Sequence, residues 1–494
     1  MGKTPDKTKG KAAMRVLFVA SECAPLVKTG GLADVVGALP AALAAQGVEV
    51  RVLLPGYPDV MAALCADGAE PGRQEELPVP GGRGRLLSGT AAGLDLVVLE
   101  AAHLYDRPGN PYVMDNGEDW PDNADRFAGL ARAGAAVAKG GLGDWRPDVI
   151  HAHDWQAGLT PLYLADWTER PAVVMTIHNM LYQGRFPAGL RKWLGLPEDR
   201  FHLHGYEYFG DISFLKAGLV TADAITTVSP GYARELMSPD FGLGLEGVLA
   251  ERASVVQGIL NGIDTEAWNP ATDKALAKTY GARNWAAGKK ANKAALEAAF
   301  GLKSDAASPL VCLISRLTEQ KGIDLLLAAL PALLDRGGRL VALGSGDRDL
   351  EAALQAAVET HPGRVGLRLG YDENLAHLMQ AGADAIVVPS RFEPCGLTQL
   401  YGLRYGTLPL VARTGGLGDS IIEANPAALA AKVATGFLFD PDSVPSLADA
   451  FARFMDAMAD KGVRGALVRA GMATDVSWDA SAKVYAALYT KLRP

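Results

Sequence analysis

The feature of this sequence that most constrains its fold is a recurring type of strand. Short apolar runs with little polar alternation are each followed by a turn and then a helical stretch. Met14–Ala20 (MRVLFVA) opens the series. Val48–Leu54 (VEVRVLL), Leu94–Glu100 (LDLVVLE), Pro147–His153 (PDVIHAH), Ala172–His178 (AVVMTIH) and Ala224–Ser229 (AITTVS) continue it. A strand that is apolar on both sides needs cover on both faces, which helices flanking a parallel sheet provide. Ala/Leu-rich helical stretches such as Leu32–Ala45 lie between several of these strands. The pattern predicts a doubly wound α/β domain.

The rhythm breaks after Leu260. Asn261–Pro270 (NGIDTEAWNP) is rich in turn formers, and a charged Lys/Ala helix follows around Lys289–Phe300. The strand series then restarts with Leu310–Arg316, Arg339–Gly344, Val365–Gly370, Ala385–Ser390 and Thr407–Ala412. A chain of 494 residues is too long for one core and fits two or three domains. The expected division is a short disordered leader over 1–13, a first α/β domain over 14–262, a second over 263–470 and a closing segment over 471–494. Within that segment, Ser477–Leu492 is an amphipathic helix. It either completes the second domain or crosses back to the first, a choice that periodicity leaves open.

Composition removes several classes. The chain carries 48 basic and 56 acidic residues, a net charge of −8, which argues against nucleic acid as a main partner but allows a local basic pocket. Cys23, Cys65, Cys312 and Cys395 are far apart and form no C-x-x-C, so neither a disulfide scaffold nor an all-cysteine zinc site is expected. The start, MGKTPDKTKGKAA, lacks the apolar core of a secretory signal. No uncharged apolar stretch reaches the roughly 18–20 residues of a spanning helix, which argues against an integral membrane protein.

The chemically interesting residues follow predicted strands, where open α/β sheets bind ligands. Lys28–Pro40 (KTGGLADVVGALP) follows the first. Gly30 and Gly31 allow a tight turn, a helix beyond them would aim its positive end at an anion, and Lys28 adds a point charge. An ordinary βα turn with an exposed lysine is the alternative. This is no P-loop, because G-x-x-x-x-G-K-[ST] is absent here. A G-x-G-x-x-G does occur at Gly242, Gly244 and Gly247, but no strand precedes it, so a loop over a ligand fits better than a dinucleotide fingerprint. His151–Trp155 (HAHDW) ends a strand. His151, His153 and the more distant His178 could hold metal, contact a substrate, or be satisfied structural histidines.

In the second domain, Arg316 and Lys321 of SRLTEQKG can converge on one anion across a strand-to-helix turn, as a departing diphosphate requires. They could equally be an exposed basic pair near Glu319. Glu393 of SRFEPCGLTQLYG sits before a helix start and can accept two sugar hydroxyls or simply cap the helix. Cys395 shares that helix start, where a lowered pKa is conceivable, but packing is the stronger reading. Arg413–Ser420 (RTGGLGDS) gives another glycine turn, for a phosphate, a sugar hydroxyl or only a bend. Tyr105–Tyr112, Trp120, Asp122, Asn179, Tyr182 and Gln183 supply the flat and hydrogen-bonding groups common in carbohydrate sites, or cap a core.

Taken together, KTGGLADVVGALP, HLYDRPGNPY, HAHDWQAGL, IHNMLYQG, FLKAGLVTADAITTVSPGYARE, NGIDTEAWNP, SRLTEQKGID and PSRFEPCGLTQLYGLRYGTLPLVARTGGLGD resemble the bacterial glycogen synthase and plant starch synthase family. The resemblance runs over almost the whole chain. It implies two Rossmann-like α/β domains with an interdomain cleft, the glycosyltransferase-B fold. It also implies retaining transfer of glucose from ADP-glucose to the non-reducing 4-hydroxyl of an α-1,4-glucan or maltooligosaccharide. No metal or cofactor is implied, nor nucleic acid or membrane, and the expected location is the bacterial cytoplasm. Oligomeric state is not implied.

Carried over by motif, the resemblance places Lys28, Gly30 and Gly31 near donor and glucan groups. Arg316 and Lys321 are expected at the leaving ADP, and Glu393 at donor-sugar hydroxyls. His153 is expected at the transferring glucose and Asp122 in the active cleft. Gln183, Asn261, Cys395, Gly396, Leu397, Thr398, Gly415 and Gly416 complete the expected substrate contacts. Related glycosyltransferases often carry a second glutamate eight positions after the first; here that position is Tyr401. The competing readings are a retaining transferase that uses UDP-glucose or a small sugar acceptor, and a non-catalytic glucan-binding protein. An NAD-dependent oxidoreductase is a poor third, because the glycine fingerprint is misplaced.

Overall fold

In the computed structural model, which describes residues 13–493, the chain divides into two compact units. Apart from Ala13, the leader expected over 1–13 lies outside the described residues. The first unit comprises the chain up to Thr227, Glu235–Ile259 and the chain from Asp479; the second comprises Val228–Arg234 and Leu260–Trp478. Where a single boundary at 262 is expected, the chain thus passes between units after Thr227, Arg234, Ile259 and Trp478. The helix Asp479–Leu492 is grouped with the first unit.

Among the described residues the first unit is built on a nine-stranded sheet. Its order is Val256–Gly258, Ala224–Thr227, Ala172–Ile177, Val149–His153, Met14–Val19, Val48–Pro55, Leu94–Glu100, Gly82–Ala91, Gly72–Val79. The first seven run parallel, and the last two add antiparallel at the edge. The inner strands follow the sequence reading within a few residues. Val149–His153 and Ala172–Ile177 are buried throughout, as strands covered on both faces must be. The hairpin Gly72–Ala91 has no such apolar run. It is held by pairing with Leu94–Glu100, an edge position that tolerates polar residues on one face.

The second unit carries a six-stranded parallel sheet in the order Val365–Leu369, Arg339–Gly344, Leu310–Ile314, Ala385–Val388, Leu408–Ala412, Phe437–Phe439. Its core joins Leu310, Val311, Cys312, Leu340, Val341, Ile386, Leu410 and Val411 with Leu326, Leu330, Leu333, Phe451 and Phe454 from flanking helices. Burying each large apolar side chain contributes about 1.5–3 kcal/mol.

Both sheets have a topological switch point. In the first unit the chain runs from Met14–Val19 outward to Val48–Pro55, then returns to build the other side from Val149–His153. In the second it runs from Leu310–Ile314 outward to Val365–Leu369, then returns at Ala385–Val388. The two loops at a switch point splay apart beyond the carboxyl ends of adjacent strands and leave a crevice there. Among the described residues, no helix is long and apolar enough to cross a membrane.

Candidate active site

In the second unit the switch point brings together the turn after Leu310–Ile314 and the loop after Ala385–Val388. The Lys321 ammonium donates to Glu393 Oε2 at 2.5 Å, and Ser390 Oγ donates to the same oxygen at 2.9 Å. The two side chains of this ion pair are only 17% and 10% exposed, so water screens them little. Arg316 is exposed at the same strand end.

The two loops are fastened to each other. The Arg391 guanidinium forks onto Asp324 at 2.8 and 2.7 Å, and it also donates to the Glu319 carbonyl at 2.7 Å. The fork on Asp324 drives the Arg391 pKa further up, so its charge is permanent. Gly322 takes φ +65°, and a Cβ there would stand 2.0 Å from the Pro389 carbonyl oxygen. Only glycine allows this approach, which sets Lys321 against the loop of Glu393.

The second glycine turn secures the same loop from behind. The Gly416 amide donates to the carbonyls of Glu393 and Pro394 at 3.2 Å each, so this N–H serves the fold rather than an anion. Gly415 lies at φ +42°, with space for a Cβ closed by the Glu393 carbonyl at 2.1 Å. Cys395 is buried, and desolvation pushes its thiol up to about 12 against a smaller opposing effect of the Asn261 backbone. A thiol held protonated is a poor nucleophile. Gly396 turns at φ +71°, Leu397 precedes the helix Thr398–Tyr405, and Thr398 opens it. Asn261 is buried beside Cys395, and its Oδ1 has no hydrogen-bond partner among the described residues. Tyr401 is stacked on Trp268 with ring centroids 3.7 Å apart.

In the first unit, His151 and His153 both lie on Val149–His153 and are fully buried, with ring centroids 4.0 Å apart. His151 Nδ1 lies 2.8 Å from Tyr489 Oη, and its Nε2 lies 2.5 Å from Thr176 Oγ1. With both nitrogens engaged, His151 is unsuited to metal ligation. His153 Nδ1 lies 3.1 Å from His178 Nε2, while His153 Nε2 is enclosed with no partner among the described residues. Desolvation by burial holds all three well below the usual histidine range, His178 at about 3, so the cluster is neutral at working pH. The next residue, Asp154, sits at φ +58°, and burial raises its carboxyl to about 7.

The turn after Met14–Val19 is organised by Glu22, which the sequence reading did not single out. This buried carboxylate accepts Thr29 Oγ1 at 2.7 Å, the amides of Thr29 at 2.5 Å and Gly30 at 3.2 Å, and Tyr112 Oη at 2.5 Å. The Gly30 amide is therefore directed inward. Gly31 starts the helix Gly31–Ala44, and Lys28 reaches Asp34 of that helix at 2.7 Å. Asp122 precedes the helix Asn123–Gly140 and receives the Arg107 fork at 2.9 and 2.7 Å. Gln183 is buried and donates to the Leu243 carbonyl at 3.2 Å, which ties it to the glycine-rich loop around Gly244. That loop follows the short helix Pro239–Gly242 and not a strand.

Comparisons with known proteins agree with this layout. The family profile described as the starch synthase catalytic domain matches residues 15–251, and that described as glycosyl transferases group 1 matches 297–461. The glycogen synthase of Roseobacter denitrificans is 54% identical over 480 residues, covering 97% of this chain and 99% of the relative. Glycogen synthase 2 of Bradyrhizobium diazoefficiens is 55% identical over 479 residues, covering 97% and 98%. The solved catalytic domain of starch synthase IV from Arabidopsis thaliana, bound to ADP and acarbose, superposes with a TM-score of 0.85 at 31% identity, covering 98% of this chain and 99% of that one. Two doubly wound units, the residues gathered at their switch points and these full-length matches give one conclusion: the chain belongs to the glycogen and starch synthase family, with the two Rossmann-like domains of the glycosyltransferase-B fold.

Proposed function

We propose that this protein transfers glucose from ADP-glucose to the non-reducing 4-hydroxyl of an α-1,4-glucan, releasing ADP and retaining the anomeric configuration. The observation that carries the reading is the Lys321–Glu393 pair at the second switch point, fastened by Ser390, Arg391 and Gly322. Lys321, with Arg316 at the same strand end, stabilises charge on the departing diphosphate. Glu393 Oε2 holds Lys321 and Ser390, and Oε1 accepts donor-sugar hydroxyls.

In the first unit, His153 contacts the transferring glucose through Nε2. A neutral imidazole suits that place, because an imidazolium would repel the positive character growing at C1. Lys28 and Asp122 serve the substrate through their loops, with Gln183 and Asn261 as further contacts. As the C1–phosphate bond breaks, the acceptor oxygen bonds C1 from the same face, and its proton passes to a phosphate oxygen of the leaving ADP. Support for ADP as the nucleotide comes from the similarity to a starch synthase solved with ADP. The two glycogen synthases named above come from bacteria, which supports a place in the bacterial cytoplasm.

The test follows labelled glucose from ADP-glucose and from UDP-glucose into maltooligosaccharides. Extension mainly from ADP-glucose is expected. Extension mainly from UDP-glucose overturns the donor, and glucan binding without transfer from either overturns the activity.

A further inference from the structure

His151 has no part in the reaction proposed above, yet its surroundings are completely specified. It lies on the strand that carries His153, packs against it with ring centroids 4.0 Å apart and ring planes tilted by 31°, and is edged by Phe18 at 4.9 Å, as His153 is at 4.8 Å. Its two nitrogens join a chain of hydrogen bonds running Tyr489 Oη, His151 Nδ1, His151 Nε2, Thr176 Oγ1, Thr226 Oγ1. All of these side chains are buried.

A neutral imidazole carries one proton, so the chain runs one way or the other. Either direction leaves one terminal hydroxyl proton, on Tyr489 or on Thr226, without an acceptor in the chain. A phenol, with an ordinary pKa near 10, is a stronger donor and a weaker acceptor than an aliphatic hydroxyl. The favoured direction therefore has Tyr489 donating to His151 Nδ1, His151 Nε2–H donating to Thr176, and Thr176 donating to Thr226.

We propose that Tyr489, on the helix Asp479–Leu492, is a positioning residue of the transfer reaction: it fixes His151 as the Nε2–H tautomer and, through the tilted contact between the two rings, fixes the plane in which His153 presents its unpartnered Nε2. This rests on the reading that His153 touches the transferring glucose. His153 is otherwise held through Nδ1 to His178 alone among its ring nitrogens, so its tilt depends on what packs against its face. Small displacements of a positioned group cost turnover more than binding.

The experiment measures ADP-glucose-dependent extension of maltooligosaccharides by the full chain and by Tyr489→Phe, Thr176→Val and His153→Ala, alongside nitrogen NMR of histidine-labelled protein. Tyr489→Phe is expected to lower kcat about tenfold or more while both KM values and the melting temperature stay near those of the parent. Thr176→Val, which removes the acceptor at the other nitrogen, is expected to give the same split. In the parent, His151 is expected to carry its proton on Nε2, and in Tyr489→Phe that preference is lost.

A folded Tyr489→Phe or Thr176→Val with parental kcat overturns the proposal, as does a parental His151 protonated on Nδ1, a reading that needs no variant. If His153→Ala keeps parental kcat, the role of His153 falls and this inference falls with it. If His153→Ala is inactive while the other two variants are unimpaired, only the positioning role of Tyr489 falls.

Discussion

Glu393 Oε2 receives both Lys321 and Ser390, so the charge at this point is balanced within one unit. Removing Lys321 leaves a mostly buried carboxylate without its counter-charge and, on the proposed mechanism, takes away a cation for the leaving group. Lys321→Ala is expected to cut kcat by about 10²-fold, measured in the extension assay. Cys395→Ser is expected to keep most activity in the same assay, because the thiol is held protonated by burial. Asp154 offers a pH test. Burial raises its carboxyl from 3.8 to about 7, so the folded state keeps a proton that the unfolded chain releases in that window. The stability it contributes is complete below the lower value and is lost as pH rises through the upper one. Asp154→Asn is therefore expected to flatten the fall in melting temperature between about pH 4 and about pH 7. Lys321 and Glu393 were legible because each lies a few residues beyond an apolar strand. Glu22 and Tyr489 were not. An acid beside a turn and a tyrosine on an amphipathic helix have no local signature, and their roles arise from partners distant in sequence.

At the scale of elements, the central strands could be read because burial on both faces writes a continuous apolar run. The hairpin Gly72–Ala91 and the short edge strands Val256–Gly258 and Phe437–Phe439 escaped that reading. Their strand character comes from pairing with a neighbour and hardly at all from their own pattern. The helix Trp285–Ala299 holds a second surprise. It buries Lys289, whose ammonium donates to Thr407 Oγ1 at 2.6 Å and to the Ala381 carbonyl at 3.1 Å. Desolvation lowers this lysine from 10.5 to about 7, only partly opposed by Asp384. Across that window the unfolded chain binds a proton that the folded state does not, so stability rises with pH. Lys289→Met is expected to abolish this rise, as measured by denaturant unfolding at about pH 7 and about pH 10. Gly322 carries the corresponding test for the site. Gly322→Ala forces either the turn or Pro389 to move, and a drop in kcat is expected in a protein that still folds.

On the scale of the whole molecule, two sheets with equivalent switch points explain why the expected site residues fall into two groups, Lys28, Asp122, Gln183 and His153 in one unit and Arg316, Lys321, Glu393 and Asn261 in the other. That grouping was visible in the sequence for all but Asn261, since the strand series stops near Leu260 and restarts at Leu310; the expected boundary at 262 left Asn261 in the first domain, and the structure groups it with the second unit. The membership of Val228–Arg234 was not. It depends on Ser229 Oγ donating to the Pro394 carbonyl at 2.6 Å and on the Gly231 amide donating to Asp419, both far away in sequence. A chain ended at Trp478 is expected to lose amide protection in Val149–His153 while Leu310–Ile314 keeps its own, read by hydrogen exchange. The placement of Asp479–Leu492 also bears on the order of events during synthesis. A ribosome delivers this helix only after all of the second unit has been made, so the N-terminal unit, first to emerge, is the last to be finished, and His151 waits throughout elongation for its phenol.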